Sequence, residues 1–272
     1  MTTGPNSTAW DGITAQAASI VAGAGEAGVT LRVLGSAGIR LHCAAPGPLM
    51  DALDRPVKDI DLLVPEKQRK PMRRYLESLG YVTDRDLLIA MEGTRYCFRH
   101  PDGGAELDVF VERLNFCHPV EVKSRLHLHQ VTLPIEELLL AKLQMVELTT
   151  TDVMDLGVIL ATHDIGAVAG SAAIDPEVID ARHLAGLFAK DWGFHHTATR
   201  NLRKVAELCR PGGTTPRNPS LTGERHAHVT ERVEVLLAAI DAEPKSLAWR
   251  MRDKVGERKQ WWQDVDEKEA TY

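Results

Sequence analysis

The sequence predicts an α+β protein: a small mixed β-sheet with flanking helices over residues 1–133, followed by an α-helical domain over 134–272. Three observations lead there. Short β-branched and aliphatic runs bounded by Gly, Pro and Asp turns fill the first half. Helical periodicity dominates the second half. Between them, Pro134 opens a long apolar helix at its first turn, followed by Glu136 and Glu137 at the positive end of the helix dipole.

Composition bounds the function. At 272 residues, 44% hydrophobic and 26% charged, the chain has the make-up of a soluble globular protein. The formal charge of -6 argues against a surface that coats nucleic acid broadly, although it is compatible with a local basic cleft. Cys43, Cys97, Cys117 and Cys209 are scattered with no C-x-x-C pair, which predicts reduced, mostly buried thiols and a cytoplasmic location. The first residues lack a basic region followed by an apolar core. No aliphatic run approaches the roughly 18 residues of a membrane span, so no membrane partner is expected.

Along the chain, residues 13–27 predict a helix stopped by Gly28, and 29–34 a strand. The strand runs into Gly35-Ser36-Ala37-Gly38, a small-residue turn before a helix from Ile39. Such a turn offers backbone N–H groups to a phosphate. Pro46-Gly47-Pro48 interrupts the chain, and Lys58-Asp59-Ile60-Asp61-Leu62-Leu63-Val64 then reads as a strand. Alternation places Asp59 and Asp61 on one face, with Ile60 and Leu62 on the other. Two neighbouring carboxylates are an oxygen site for Mg²⁺ or Mn²⁺, or two acids on a solvent-facing strand.

Residues 66–79 predict an amphipathic helix with a basic, solvated face, closed by Gly80. Strands are expected at 81–83, 89–91 and 94–99, then a turn at 101–104 and a strand over 105–111 bearing Glu106 and Asp108 on one face. If that strand lies beside the first, Asp108 joins Asp59 and Asp61. Residues 125–131 alternate as an exposed strand carrying His127 and His129. Residues 138–146 form a buried helix interrupted by one cation, Lys142, which must reach water or an anion. Thr149, Thr150 and Thr151 are candidate caps for a helix bearing Asp152 and Asp155 about one turn apart. Helices follow over 176–189, 197–209, 224–242 and 246–263, with a loop and candidate hinge over 210–222.

The order of strand, Gly35-Ser36 turn, helix, D-x-D strand, helix and hairpin ending in Glu106-Leu107-Asp108 resembles the nucleotidyltransferase superfamily of DNA polymerase β. The resemblance covers roughly residues 29–160. It is closer still to the abortive-infection and type IV toxin–antitoxin nucleotidyltransferases, the AbiEii and MenT-like group. The segments that carry it are Arg55-Pro56-Val57-Lys58-Asp59-Ile60-Asp61, the run Ile135 to Leu143 with Lys142, and Asp152-Val153-Met154-Asp155-Leu156. Two departures stand out. The stretch between Ser36 and Asp59 is longer than usual, and Thr151 replaces a basic residue common before the D-x-x-D pair.

The resemblance implies an enzyme that moves an NMP from an NTP to an acceptor. It implies that Asp59, Asp61 and Asp108 hold the metals, and that Asp108 takes the nucleophile's proton. Gly35, Ser36, Lys58 and Lys142 would bind the nucleotide, with Arg55, Asp152 and Asp155 as further candidates. By the same resemblance the acceptor could be a tRNA 3′ end, a protein side chain or another macromolecule, and the chain could act as a toxin with an antitoxin partner. Two alternatives stay open: a small-molecule transferase of the aminoglycoside-acting kind, and a non-catalytic binding or regulatory module of the same fold.

Overall fold

Strand alternation sorts the residues of the first sheet into an apolar face and a polar one. The computed structural model describes residues 7–43, 50, 53, 55–84, 88–89, 93–166, 178–209 and 224–265. Strands β1 (Arg32–Leu34), β2 (Ile60–Val64), β3 (Val82–Thr83), β4 (Arg95–Arg99) and β5 (Leu107–Val111) lie in the order β1-β2-β5-β4-β3. β2 and β5 run parallel and the other neighbours antiparallel, so the sheet is mixed. The register aligns Val33 with Leu62, Leu62 with Val109, and Val109 with Tyr96. Residues that pair across a sheet share a face. Val33, Ile60, Leu62, Val64, Phe98, Leu107 and Val109, all at 0% exposure, therefore line the core side. Burying each such side chain contributes about 1.5–3 kcal/mol. The same register puts Asp61, Asp108, Cys97 and Arg95 together on the opposite face.

Helices α1 (Ser7–Glu26) and α2 (Gly35–His42) pack against this sheet and each other, and α3 (Arg69–Ser78) packs on β3. Gly23 allows α1 and α3 to approach, because a Cβ there would meet the Tyr75 hydroxyl at 2.5 Å. That hydroxyl donates to Ile20 O at 2.9 Å. Arg40 ties α2 to α1 through Asp11 at 2.8 Å. The α3 helix buries Met72 and Leu76, four residues apart, while Arg69 and Arg73 pair with Glu66 and Glu77 in solvent.

The chain divides into two units, Met1–Leu114 with Glu121–Pro134, and Asn115–Val120 with Ile135–Tyr272. In the second, α4 (Ile135–Leu143) and α5 (Thr150–Thr162) are buried along most of their length. A short parallel pair of strands, Asp164–Gly166 and Val178–Asp180, is followed by α6 (Ala181–Phe188), α7 (Trp192–Leu208), α8 (Glu224–Ala242) and α9 (Leu247–Asp253). Asn201 of α7 donates to Leu143 O and Met145 O at the end of α4, satisfying carbonyls that a helix terminus leaves over. Thr149, Asp180, Asp191 and Ser246 cap α5, α6, α7 and α9. His118 stacks on Phe194 at 5.0 Å and shares a 2.9 Å hydrogen bond with Thr197. All four cysteines are free and buried. Among the described residues no helix is long and apolar enough to cross a membrane.

The local expectations that fail do so for identifiable reasons. The small-residue turn after β1 is absorbed into α2, which begins at Gly35 itself. Residues 125–131 are not a strand: Lys123–Arg125 form a 3₁₀ turn, and His129 Nδ1 accepts the Thr132 N–H at 2.9 Å, a local bond that replaces a ladder. Ile89 is helical rather than extended. Residues 178–180 are strand, and α9 ends at Asp253 before a 3₁₀ turn at Gly256–Arg258. The Pro46-Gly47-Pro48 break and the 210–222 loop lie outside the described residues.

Burial pushes His118 and His163 down to about 4 from 6.5. Both are almost fully enclosed, so the unfolded chain takes up protons that the native chain refuses. Stability is therefore full above pH 6.5 and falls toward pH 4, by about 1.4 kcal/mol per pH unit for each imidazole. Urea unfolding at about pH 7 and about pH 5 should show a lower midpoint at the acid pH, and His118→Gln should flatten that slope in part, leaving the His163 share. An unflattened slope in that variant would assign the acid loss to other groups.

Candidate functional site

The polar side of the sheet is built by one register. Leu34 pairs with Asp61 across β1 and β2, and Asp61 pairs with Asp108 across β2 and β5. Because Leu34 is the last residue of its strand, Gly35 falls against the Asp61 side chain. A Cβ at Gly35 would stand 1.9 Å from Asp61 Oδ2. Its φ of +62° turns extended backbone at once into helix. Only glycine meets both demands. The first turn of α2, with Ser36 buried in it, thus begins beside a carboxylate. The positive end of the helix favours negative charge at that point.

Asp59 precedes β2 by one residue and is half-buried, like Asp61. Asp108 is 5% exposed and engaged through both oxygens: Arg95 Nε donates to Oδ1 at 3.0 Å and Nη2 to Oδ2 at 2.9 Å. Cys97 Sγ donates to Oδ1 at 2.6 Å. Burial, then the Asp108 carboxylate, push the Cys97 thiol far upward, so it remains a proton donor. The Arg95 guanidinium, 2% exposed, lies 5.1 Å from the Phe110 ring centroid. Glu106, on the same face, pairs in solvent with Arg99 at 2.9 Å.

Lys58 is exposed beside Asp59, and buried Arg55 donates to Pro56 O at 2.6 Å. In the second unit, Lys142 Nζ lies 2.9 Å from Asp152 Oδ1 and 3.0 Å from Asp155 Oδ2, so the half-buried cation meets two carboxylates. Asp152 also closes the capping box with Thr149. Burial works to raise the Asp152 carboxyl, and Lys142 with the Thr149 hydroxyl and N–H more than offset it, leaving it below its ordinary value.

Among the described residues, no three His, Cys, Asp or Glu side chains converge as a metal-holding group. Asp61 stands on this face of the sheet, and Asp59 lies in the bend that leads into β2. Asp108 does not complete a set of three, since three donors take three of its four acceptor positions. Sequence reasoning missed Arg95 and Cys97. The signal was present in the alternation Arg95-Tyr96-Cys97-Phe98-Arg99, whose hairpin register with β5 sets Cys97 opposite Asp108.

No protein-family model matches the chain, and no curated protein matches it in sequence. Among solved structures, a crystal structure of an antigenic nucleotidyltransferase-like protein from Paracoccidioides brasiliensis aligns with 88% of this chain and 96% of its own. The TM-score is 0.32 at 15% identity, a likeness too low to carry either fold or function. The α+β class rests instead on the strand order and helices described above.

Gly35→Ala tests the close approach. It should lower thermal stability by about 1–3 kcal/mol from backbone strain alone, and by more where the methyl meets Asp61. Gly28→Ala, at φ +72° with nothing within 4 Å, carries only the backbone share. Equal losses in the two variants would contradict the contact.

Proposed function

We propose that the chain is an NTP-dependent nucleotidyltransferase. The observation that supports this most is the junction of the α2 N-terminus with Asp61, itself in register with Asp108. An anion held by the first N–H groups of α2 would lie beside the carboxylates that suit a divalent cation, the neighbourhood a triphosphate requires.

In this reading Gly35 lets the Asp61 carboxylate close on the start of α2, where the phosphates would be held, and Ser36 adds a hydroxyl in the same turn. Asp59 and Asp61 hold Mg²⁺ or Mn²⁺, which when bound supplies positive charge to the phosphates during transfer. An acceptor hydroxyl attacks the α-phosphorus and gives its proton to water, the bond from the α-phosphorus to the bridging oxygen breaks, and pyrophosphate leaves. Lys58, exposed beside Asp59, is placed to meet phosphate charge. Arg95 fixes the Asp108 carboxylate in one orientation on the same face. The proposal stands on first-unit residues; the partners seen for Lys142 are Asp152 and Asp155. We further propose a macromolecular acceptor, tRNA or protein, as in the toxin-like enzymes that the sequence resembles.

The test is incubation of the purified chain with Mg²⁺, each labelled NTP, and total tRNA or no acceptor. Label is expected in tRNA or in the chain itself, and Asp61→Asn should reduce it by about 100-fold or more without unfolding the protein. Label in neither, with transfer to a cationic small acceptor instead, would move the substrate class to small molecules. Undiminished transfer in a folded Asp61→Asn variant would end the site assignment.

A further inference from the structure

We infer that Asp108 is not a metal ligand in this chain, and that Arg95 takes the place of the cation a three-carboxylate centre would set beside it. The inference rests on the nucleotidyl-transfer reading above. It arises from a mismatch between the residues present and that centre.

A carboxylate offers about four acceptor positions, two on each oxygen. On Asp108, Oδ1 accepts from Arg95 Nε at 3.0 Å and Cys97 Sγ at 2.6 Å, and Oδ2 accepts from Arg95 Nη2 at 2.9 Å. One position is left, and a cation using it would sit against a guanidinium, like charge on like charge. A planar guanidinium bound through two parallel N–H groups holds its partner in a fixed geometry. Arg95 also has little room to withdraw. It is 2% exposed and lies over Phe110, so leaving Asp108 would strand a buried charge.

Asp61 differs although it stands directly opposite. It is half-buried rather than enclosed, and its neighbour across β1 is the start of α2. The two aspartates in register thus carry different duties: Asp61 faces the proposed nucleotide, and Asp108 anchors Arg95. Arg95 is a positioning residue, which sets the charge and orientation of the sheet face without touching substrate.

The experiment titrates Mn²⁺ into the whole chain and reads free Mn²⁺ by electron paramagnetic resonance, for the native protein, Asp61→Asn and Asp108→Asn. Asp108→Asn keeps the side-chain shape and should bind Mn²⁺ within about twofold of native, whereas Asp61→Asn should lose about tenfold or more. A loss in Asp108→Asn comparable to that in Asp61→Asn overturns the inference. If neither variant changes Mn²⁺ affinity, the inference on Asp108 stands and the cation site of the functional reading falls. Should Asp108→Asn not fold, the native chain decides when saturated with a non-hydrolysable nucleoside triphosphate: one Mn²⁺ per chain upholds the inference, and two overturn it.

Discussion

The buried pair of Arg95 and Asp108 is the constraint around which the polar face of the sheet is arranged. A strand must present alternate residues to opposite sides, so the apolar face of β5 that fills the core forces Asp108 out on the other. There it is almost as enclosed as the core itself, at 5% exposure. An enclosed carboxylate without a partner is strongly unfavourable, and Arg95, two strand positions before Cys97, is the partner within reach. Such a pair is no proof of net stability, because desolvating both ions offsets much of their attraction. Its effect is on specificity of arrangement. Losing either member strands the other, and the face keeps its geometry only while both remain.

That arrangement divides labour between two aspartates that the register makes neighbours. Asp108 is occupied from three directions, while Asp61 abuts the first residue of α2. The same device recurs in the second unit, where the enclosed Asp155 and its neighbour Asp152 are answered by the half-buried Lys142. In both places a buried charge is met by a side chain 10 or 13 residues away in sequence, on a neighbouring strand or on the next helix.

Much of this was legible from sequence, and the reasons are physical. Alternation in 60–64 and 107–111 is a property of extended chain, so the shared face of Asp61 and Asp108 could be read once the two strands were taken as neighbours. The turn at 101–104 fixed the hairpin in the same way. The parallel pairing of β2 with β5 could not be derived from local pattern, because it joins strands some fifty residues apart by a crossover. Gly35-Ser36 was visible as a junction, but the helix begins there because a glycine at φ +62° completes the turn in one residue. The segment bearing His127 and His129 looked like a strand because it alternates. A histidine bonded to its own backbone three residues on overrode the pattern. Arg95 was passed over because an arginine in a short strand ordinarily signals a solvent-facing position, and only burial reveals its partner.

The central claim is that one aspartate of the registered pair belongs to the proposed nucleotide site and the other to an arginine. Crystals of the whole chain grown with Mn²⁺ and a non-hydrolysable nucleoside triphosphate address it by anomalous scattering at the manganese edge. The account predicts a peak held by Asp59 and Asp61, with Arg95 still paired to Asp108. A peak on Asp108, with Arg95 swung away, would contradict it.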